Sequence, residues 1–68
     1  MARHAMTHYI EVYVHVRGQF LRCVTDAVDA ASQVPSTIRL IMATERFSEP
    51  RAVFVVMVNG EVLAEGEY

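Results

Sequence analysis

Apolar and polar residues alternate along residues 7–17. One side of this segment carries Ile10, Val12, Val14 and Val16, and the other carries Tyr9, Glu11, Tyr13, His15 and Arg17. A period of two is typical of a β-strand with one face in a core. We therefore predict a first strand whose aliphatic side is buried and whose second side is polar and aromatic.

The period changes after Gly18. Apolar residues now recur at helical spacing, at Phe20, Leu21, Val24, Ala27, Val28 and Ala31, which predicts an amphipathic helix over 19–33. Pro35 disfavours helical backbone in the residue before it, so we expect the helix to end at 34–36. Alternation returns over 37–47, where Ile38, Leu40 and Met42 share one face of a predicted second strand.

The last part of the chain predicts a β-hairpin. Asn59-Gly60 joins residues 51–58 to residues 61–68, and this pair favours a two-residue type I′ turn. Such a turn places Val58 opposite Glu61, Met57 opposite Val62 and Val56 opposite Leu63. The face predicted to lie beneath the helix is Val53, Val55, Met57, Val62 and Ala64. The opposite face carries Phe54, Val56, Val58 and Leu63.

These elements predict a two-layer α+β sandwich in the order β-α-β-β-β. One helix packs on a mixed four-stranded sheet, in which a helical crossover joins two parallel strands. Residues 1–6 lack a period and are expected to be a flexible arm, and residues 7–68 are expected to form a single domain.

Size and composition favour association with another chain. A domain of 68 residues has a small core and marginal stability. Its single cysteine, Cys23, excludes an intrachain disulfide. Six Lys+Arg against eight Asp+Glu give a net charge of −2, and the scattered arginines argue against nucleic-acid binding. No apolar run is long enough for a membrane span, so we expect a cytoplasmic location.

Catalytic and metal-binding patterns are weak. His8 and His15 have opposite parity on the first strand, so they point to opposite faces and do not share a metal ion. Cys23 has no second cysteine or adjacent base and is interpreted as a small core residue. Glu11 and Glu45 are interpreted as cross-strand charges rather than as an acid–base pair. We expect neither a cofactor nor an enzymatic activity.

One segment resembles a known family in outline. The run Glu11-Val12-Tyr13-Val14-His15 before the predicted helix, together with the hairpin sequence Val-Asn-Gly-Glu-Val-Leu, is similar to thioredoxin-like proteins. The Cys-x-x-Cys motif of those proteins is missing here. The resemblance therefore implies a redox-inert domain.

The leading hypothesis is a non-catalytic module that binds protein through its helix-free sheet face or a sheet edge. The expected partner is its own copy, in a homodimer or higher homo-oligomer, or a host protein complex for which it acts as an inhibitor or adaptor. The predicted interface has apolar anchors at Tyr9, Tyr13, Phe54, Val56 and Leu63 and a rim of Arg17, Arg39, Glu61 and Glu65.

Two alternatives remain open. One is an oligomeric small-molecule binder or minor enzyme, with a site between subunits built from Tyr9, Tyr13, His15, Arg17 and Arg39. The other is a purely structural assembly protein.

Overall fold

The computed structural model describes residues 6–66 of the chain. It contains β1 (His8–Val16), β2 (Gln19–Val28), a short 3₁₀ turn (Ala31–Gln33), α1 (Val34–Ser48), β3 (Val53–Val58) and β4 (Glu61–Gly66). The strands form one sheet in the order β2-β1-β3-β4, and all three pairings are antiparallel. The α+β class is confirmed. The predicted β-α-β-β-β order and the mixed sheet are wrong, because the chain runs β-β-α-β-β.

The first hairpin replaces the helix predicted over 19–33. Arg17 and Gly18 both have positive φ angles, of 55° and 75°, which is the backbone of a two-residue type I′ turn. This turn sends the chain straight back along β1. The returning segment includes Val24, Thr25 and Val28, whose branched side chains suit a strand better than a helix.

The helix occupies the segment predicted as the second strand. Val34, Ile38, Ile41, Met42 and Glu45 follow one another at helical spacing along α1, and Val34, Ile41 and Met42 are buried. Pro35 lies in the first turn of α1, where its missing N–H has no helical partner to lose. The same proline that was predicted to end one helix therefore begins another.

The core lies between α1 and one face of the two central strands. Ile10, Val12 and Val14 of β1 and Phe54 of β3 are 0% exposed, and Val56 is 1% exposed. The prediction for β1 is therefore confirmed, but the faces of β3 are exchanged. Both faces of β3 are apolar, so alternation alone did not decide which one the helix covers.

The second hairpin is confirmed, with a shift in its pairing. Asn59 and Gly60 have φ angles of 52° and 81°, and the predicted pairs of Val58 with Glu61 and Met57 with Val62 are present. A bulge then leaves Leu63 without an opposite residue, so that Val56 faces Ala64.

Asn59 also ties this hairpin to the first strand. Its backbone N–H donates to the Tyr9 carbonyl oxygen at 2.8 Å, and its Oδ1 accepts from the Tyr9 N–H at 2.9 Å. The turn therefore extends the contact between β1 and β3 by one further pair of hydrogen bonds.

Two further predictions concern the ends of the chain and the membrane. Residues 1–5 of the predicted arm lie outside the described residues, and Met6 is 71% exposed. Within residues 6–66, no helix has the length and apolar character needed to cross a membrane.

Candidate interaction surface

The sheet has one face that α1 does not cover, which we call the open face. Directly opposed residues of neighbouring strands share a face, so the register places these side chains in three rows. The rows are Phe20, His15 and Val53; Cys23, Tyr13, Val55 and Glu65; and Thr25, Glu11, Met57 and Val62. Tyr9 and Ala27 follow at one end. The middle of the open face is mostly apolar.

Aromatic side chains cluster at one end of the open face. The ring centroids of Tyr13 and Phe20 are 6.2 Å apart, and those of His15 and Phe20 are 5.9 Å apart with the rings edge to face. Such distances are those of favourable aromatic pairs. The cluster joins β1 to the edge strand β2 and gives this end of the face a fixed shape.

Two ionisable groups in the middle row of the open face, Tyr13 and Cys23, favour their neutral forms. The Tyr13 hydroxyl donates to Glu11 Oε2 at 3.0 Å, and this hydrogen bond raises the pKa of Tyr13. Burial raises the pKa of the Cys23 thiol. Tyr13 and Cys23 are therefore uncharged at neutral pH, and Glu11 already has a hydrogen-bond donor, which lowers the cost of removing this region from water.

Several large side chains of the open face remain in contact with solvent. Tyr9 is 61% exposed, Phe20 59% and Val62 55%. Single exposed apolar residues are common on proteins, but a contiguous apolar patch is typical of a binding surface. Here the exposed residues belong to one continuous sheet face, so we take it as the candidate functional site.

The predicted interface residues fall into separate places. Tyr9 and Tyr13 lie on the open face, as predicted, and Glu65 lies there opposite Val55. Phe54 and Val56 were placed there wrongly, because both are buried beneath α1.

The other four predicted interface residues lie away from the open face. Arg17 is in the β1–β2 turn, and Glu61 is opposite Val58 on the helix side of the sheet. Arg39 belongs to α1, and Leu63 lines a cavity beside that helix. The alternative small-molecule site thus keeps Tyr9, Tyr13 and His15 on one face but loses Arg17 and Arg39.

Sequence reasoning missed most of the open face. Phe20 and Cys23 were assigned to a helix, and Val53, Val55, Met57 and Val62 were assigned to the core. A usable signal was present in Arg17-Gly18, because a residue pair ending in glycine between two β-rich segments is a hairpin signal. Recognising that turn would have paired Phe20 and Cys23 with His15 and Tyr13.

Two open cavities lie elsewhere on the described part of the chain. One of about 510 Å³ is between the β1–β2 turn and the connection from α1 to β3, beside Arg17, Leu21 and Arg51. The other, of about 270 Å³, is an apolar groove between α1 and the β3–β4 hairpin, lined in part by Ile38 and Leu63. No cluster of three or more metal-ligating side chains occurs among residues 6–66.

Comparison of the chain with protein-family models, with curated proteins and with solved structures gives no match.

Proposed function

We propose that this protein is a non-catalytic, self-associating module that binds a second copy of itself through the open face. The observation that carries the proposal is the apolar surface formed by Tyr13, Phe20, Val55, Met57 and Val62 on the side of the sheet away from α1. The helix α1 already packs against the other face of the sheet, where it covers the core. None of the elements formed by residues 6–66 remains to cover the open face, so we take a second copy of the chain as its second layer.

The shape of the surface suits a second sheet. The open face is a sheet surface without a covering helix, and two sheets stack about 10 Å apart when the side chains of both faces interdigitate. A two-fold axis that lies between the sheets along the middle row brings the middle rows of both copies together, so each copy offers the other the same apolar surface. Tyr9 and Glu65 then lie towards the rim.

The size of the open face sets the expected strength of the dimer. Four strands about 4.8 Å apart and about six residues long cover roughly 400 Å² in projection. Two such faces, with the roughness of their side chains, bury on the order of 1,000 Å² in total, which is at the lower end for specific complexes. We therefore expect a dissociation constant on the order of micromolar rather than nanomolar.

Stability gives a further reason for association. The fully buried side chains are few, and the largest of them is Phe54, so the single layer of core leaves the isolated chain marginal. Burial of apolar area contributes about 25 cal/mol per Å². Covering the open face therefore adds stabilisation that this small domain does not obtain from its own helix.

Two adjacent residues of β4 provide a matched test. Val62 and Leu63 are 55% and 62% exposed. Val62 lies on the open face opposite Met57, whereas Leu63 lies beside α1. Val62→Asp is expected to raise the dissociation constant of self-association at least tenfold, because a carboxylate loses its hydration in the interface. Leu63→Asp makes the same chemical change on the other face and is expected to leave self-association unchanged.

Sedimentation equilibrium over a range of protein concentrations measures the effect, and circular dichroism checks that both variants stay folded. Equal dissociation constants for the two variants would contradict the proposal. A wild-type chain that stays monomeric up to millimolar concentration would also end it. If such a monomer instead captures one defined protein from its host, the face serves the inhibitor or adaptor hypothesis and not self-association.

A further inference from the structure

In the sheet formed by residues 6–66, β2 is an edge strand with no neighbour on its outer side. The hydrogen bonds of Tyr9 show which backbone groups of β2 face outward. Both the N–H and the C=O of Tyr9 bond to Asn59 on the β3 side. Tyr9 is therefore not hydrogen-bonded to Ala27, the residue opposite it on β2. The backbone groups of Ala27 consequently point away from β1.

A second hydrogen bond also indicates that the backbone groups of Ala27 point away from β1. The Ala27 N–H donates to the side-chain Oδ1 of Asp26 at 2.8 Å, so it is not part of the β1–β2 ladder. Outward and inward groups alternate along a strand, and the pairing is regular from Arg22 to Val28. Cys23 and Thr25 therefore also present their N–H and C=O groups to the open edge.

The edge of β2 is suited to pairing with another strand. The stretch from Arg22 to Val28 contains no proline and no bulge, and both features are common protections of edge strands. The opposite edge of the sheet, β4, is interrupted by the bulge at Leu63 and carries Glu61 and Glu65. Glu61 and Glu65 also add negative charge to this edge, which disfavours a second β4 strand beside it.

Charge selects the register in which β2 would pair with itself. Two copies related by a two-fold axis at Val24 place Arg22 of each opposite Asp26 of the other, twice in the same interface. Moving the axis to Thr25 places each of these charges opposite a valine, and moving it to Cys23 places Arg22 opposite Val24 and Asp26 opposite Phe20. The Val24 register therefore gains two favourable cross-strand ion pairs that its neighbours lack.

The available groups fit this register. Arg22 is bound through Nε to Glu45 Oε1 of α1 at 2.5 Å, yet its side chain is 39% exposed, so its terminal nitrogens can still donate. Asp26 is exposed and uses only Oδ1 to accept from Ala27. Its second oxygen remains for the arginine of the other copy. Positions 22 and 26 are also a non-hydrogen-bonded pair in this register, in which side chains approach closely.

We infer that the β2 edge pairs antiparallel with β2 of a second copy, with the two-fold axis at Val24 and Arg22 of each chain opposite Asp26 of the other. Cys23 and Thr25 exchange backbone hydrogen bonds across the axis. The two sheets become one sheet of eight strands, with both helices on the same side. This contact is separate from the open face and does not depend on the function proposed for it.

A charge exchange tests the register directly. Asp26→Arg alone places Arg22 opposite another cation, and Arg22→Asp alone places Asp26 opposite another anion. Each single variant is expected to lose edge pairing, with the dissociation constant raised at least tenfold. In an equimolar mixture of the two, both cross-strand pairs are again of opposite charge. The mixture is therefore expected to form a heterodimer more tightly than either variant forms a homodimer.

All proteins in this experiment also carry Glu45→Gln, so that the substituted position 22 faces no carboxylate on α1. Val62→Asp is included to suppress association through the open face. Asp29→Arg serves as the matched control for Asp26→Arg, since it makes the same charge change just beyond the end of β2. Sedimentation velocity and native mass spectrometry read the stoichiometry.

A cross-linking experiment tests the same register without changing its charges. Thr25→Cys places the new thiol opposite Cys23 of the other copy, with Cα atoms about 5.5 Å apart, a separation that a disulfide accepts. Mild oxidation is expected to give a covalent dimer. Adding Cys23→Ser to this variant is expected to remove the cross-link, because residues 25 of the two copies are not opposite each other.

The inference fails if the mixture of charge variants associates no better than its components. It also fails if Thr25→Cys cross-links equally well with and without Cys23. When each change is made singly in the wild-type chain, loss of association in Val62→Asp with no effect of Asp26→Arg would leave the open face as the interface and would exclude the edge. The reverse result would support the edge and exclude the open face, so the two outcomes are distinguishable.

Discussion

Phe54 is the largest fully buried side chain of the described chain. It lies opposite Val14 on the helix side of the sheet, and the guanidinium carbon of Arg46 is 5.7 Å from its ring centroid. Its removal leaves a cavity at the centre of the only core layer described. Phe54 was predicted to be an interface anchor. The effect of substituting it therefore distinguishes a role in an interface from a role in the core.

Phe54→Ala is expected to reduce the free energy of unfolding by about 3–5 kcal/mol. For so small a domain this is enough to unfold a large part of the population. Val53→Ala is the control. Val53 directly precedes Phe54 in the chain, is 37% exposed and lies on the open face. Urea titration at low protein concentration measures both. A Phe54 variant that keeps its stability and loses only association would show that Phe54 belongs to an interface.

The titrating groups of the open face make a second prediction. The pKa of Cys23 is raised from 9.0 by burial, and the pKa of Tyr13 is raised from 10.0 by its hydrogen bond to Glu11. The folded chain therefore holds both protons more tightly than the unfolded chain. The resulting stabilisation is complete below about pH 9 and is lost as the pH rises through the raised values.

We expect the urea midpoint to fall between about pH 8 and pH 11. The double variant Cys23→Ser with Tyr13→Phe is the control, and it should show a smaller fall over the same range. A wild-type midpoint that rises with pH would contradict the expected sign.

The sequence pattern identified the core residues of β1, but it did not identify which face of β3 is buried beneath α1. Ile10, Val12 and Val14 alternate with polar residues, so only one of their two faces can be buried. Val53 to Val58 are all apolar, and the choice between their faces depends on how α1 and the preceding loop place the strand. That choice is a tertiary effect, which a period of two does not contain.

At the level of elements, the two hairpin turns are of the same type but differ in their residues. The second turn has Asn59 before its glycine, whereas the first has Arg17 at φ 55°. An arginine has no side-chain group that stabilises the left-handed region as asparagine does. The first turn is therefore the less well encoded of the two.

Arg17→Asn is expected to raise the free energy of unfolding by roughly 0.5–1 kcal/mol, because Asn-Gly is the preferred pair for this turn. Arg17→Ala removes the same charge without that preference and serves as the control. Thermal unfolding followed by circular dichroism compares the two. A gain of equal size in the alanine variant would assign the effect to charge and not to the turn.

The sequence-based prediction exchanged helix and strand because the apolar pattern was ambiguous in both β2 and α1. Residues 20–31 contain apolar residues at helical spacing, but β2 is an edge strand whose inner side is only partly covered, so its alternation is weak. In α1, the inner face of Val34, Ile38, Ile41 and Met42 was overlooked because Ile38, Leu40 and Met42 also fit a period of two. Leu40 is 69% exposed, which shows that the helical period is the one that governs burial.

At the level of the whole molecule, the two proposed contacts are compatible with each other. The two-fold axis of the β2 edge contact is perpendicular to the sheet, because both helices stay on the same side. The axis of the open-face contact lies between two stacked sheets, parallel to them. Where these two perpendicular axes intersect, they generate a closed group of four chains, with two eight-stranded sheets back to back and the helices outside.

The bulge at Leu63 has a consequence for such a group. Every eight-stranded sheet still ends in a β4 strand on each side, and an unprotected edge there would recruit further chains without limit. The unopposed Leu63 disturbs the spacing of the outward N–H and C=O groups along β4, while Glu61 and Glu65 repel a second acidic strand. In the proposed group of four, this one extra residue in a six-residue strand would limit lateral growth, and deleting Leu63 is expected to favour fibres over a finite particle.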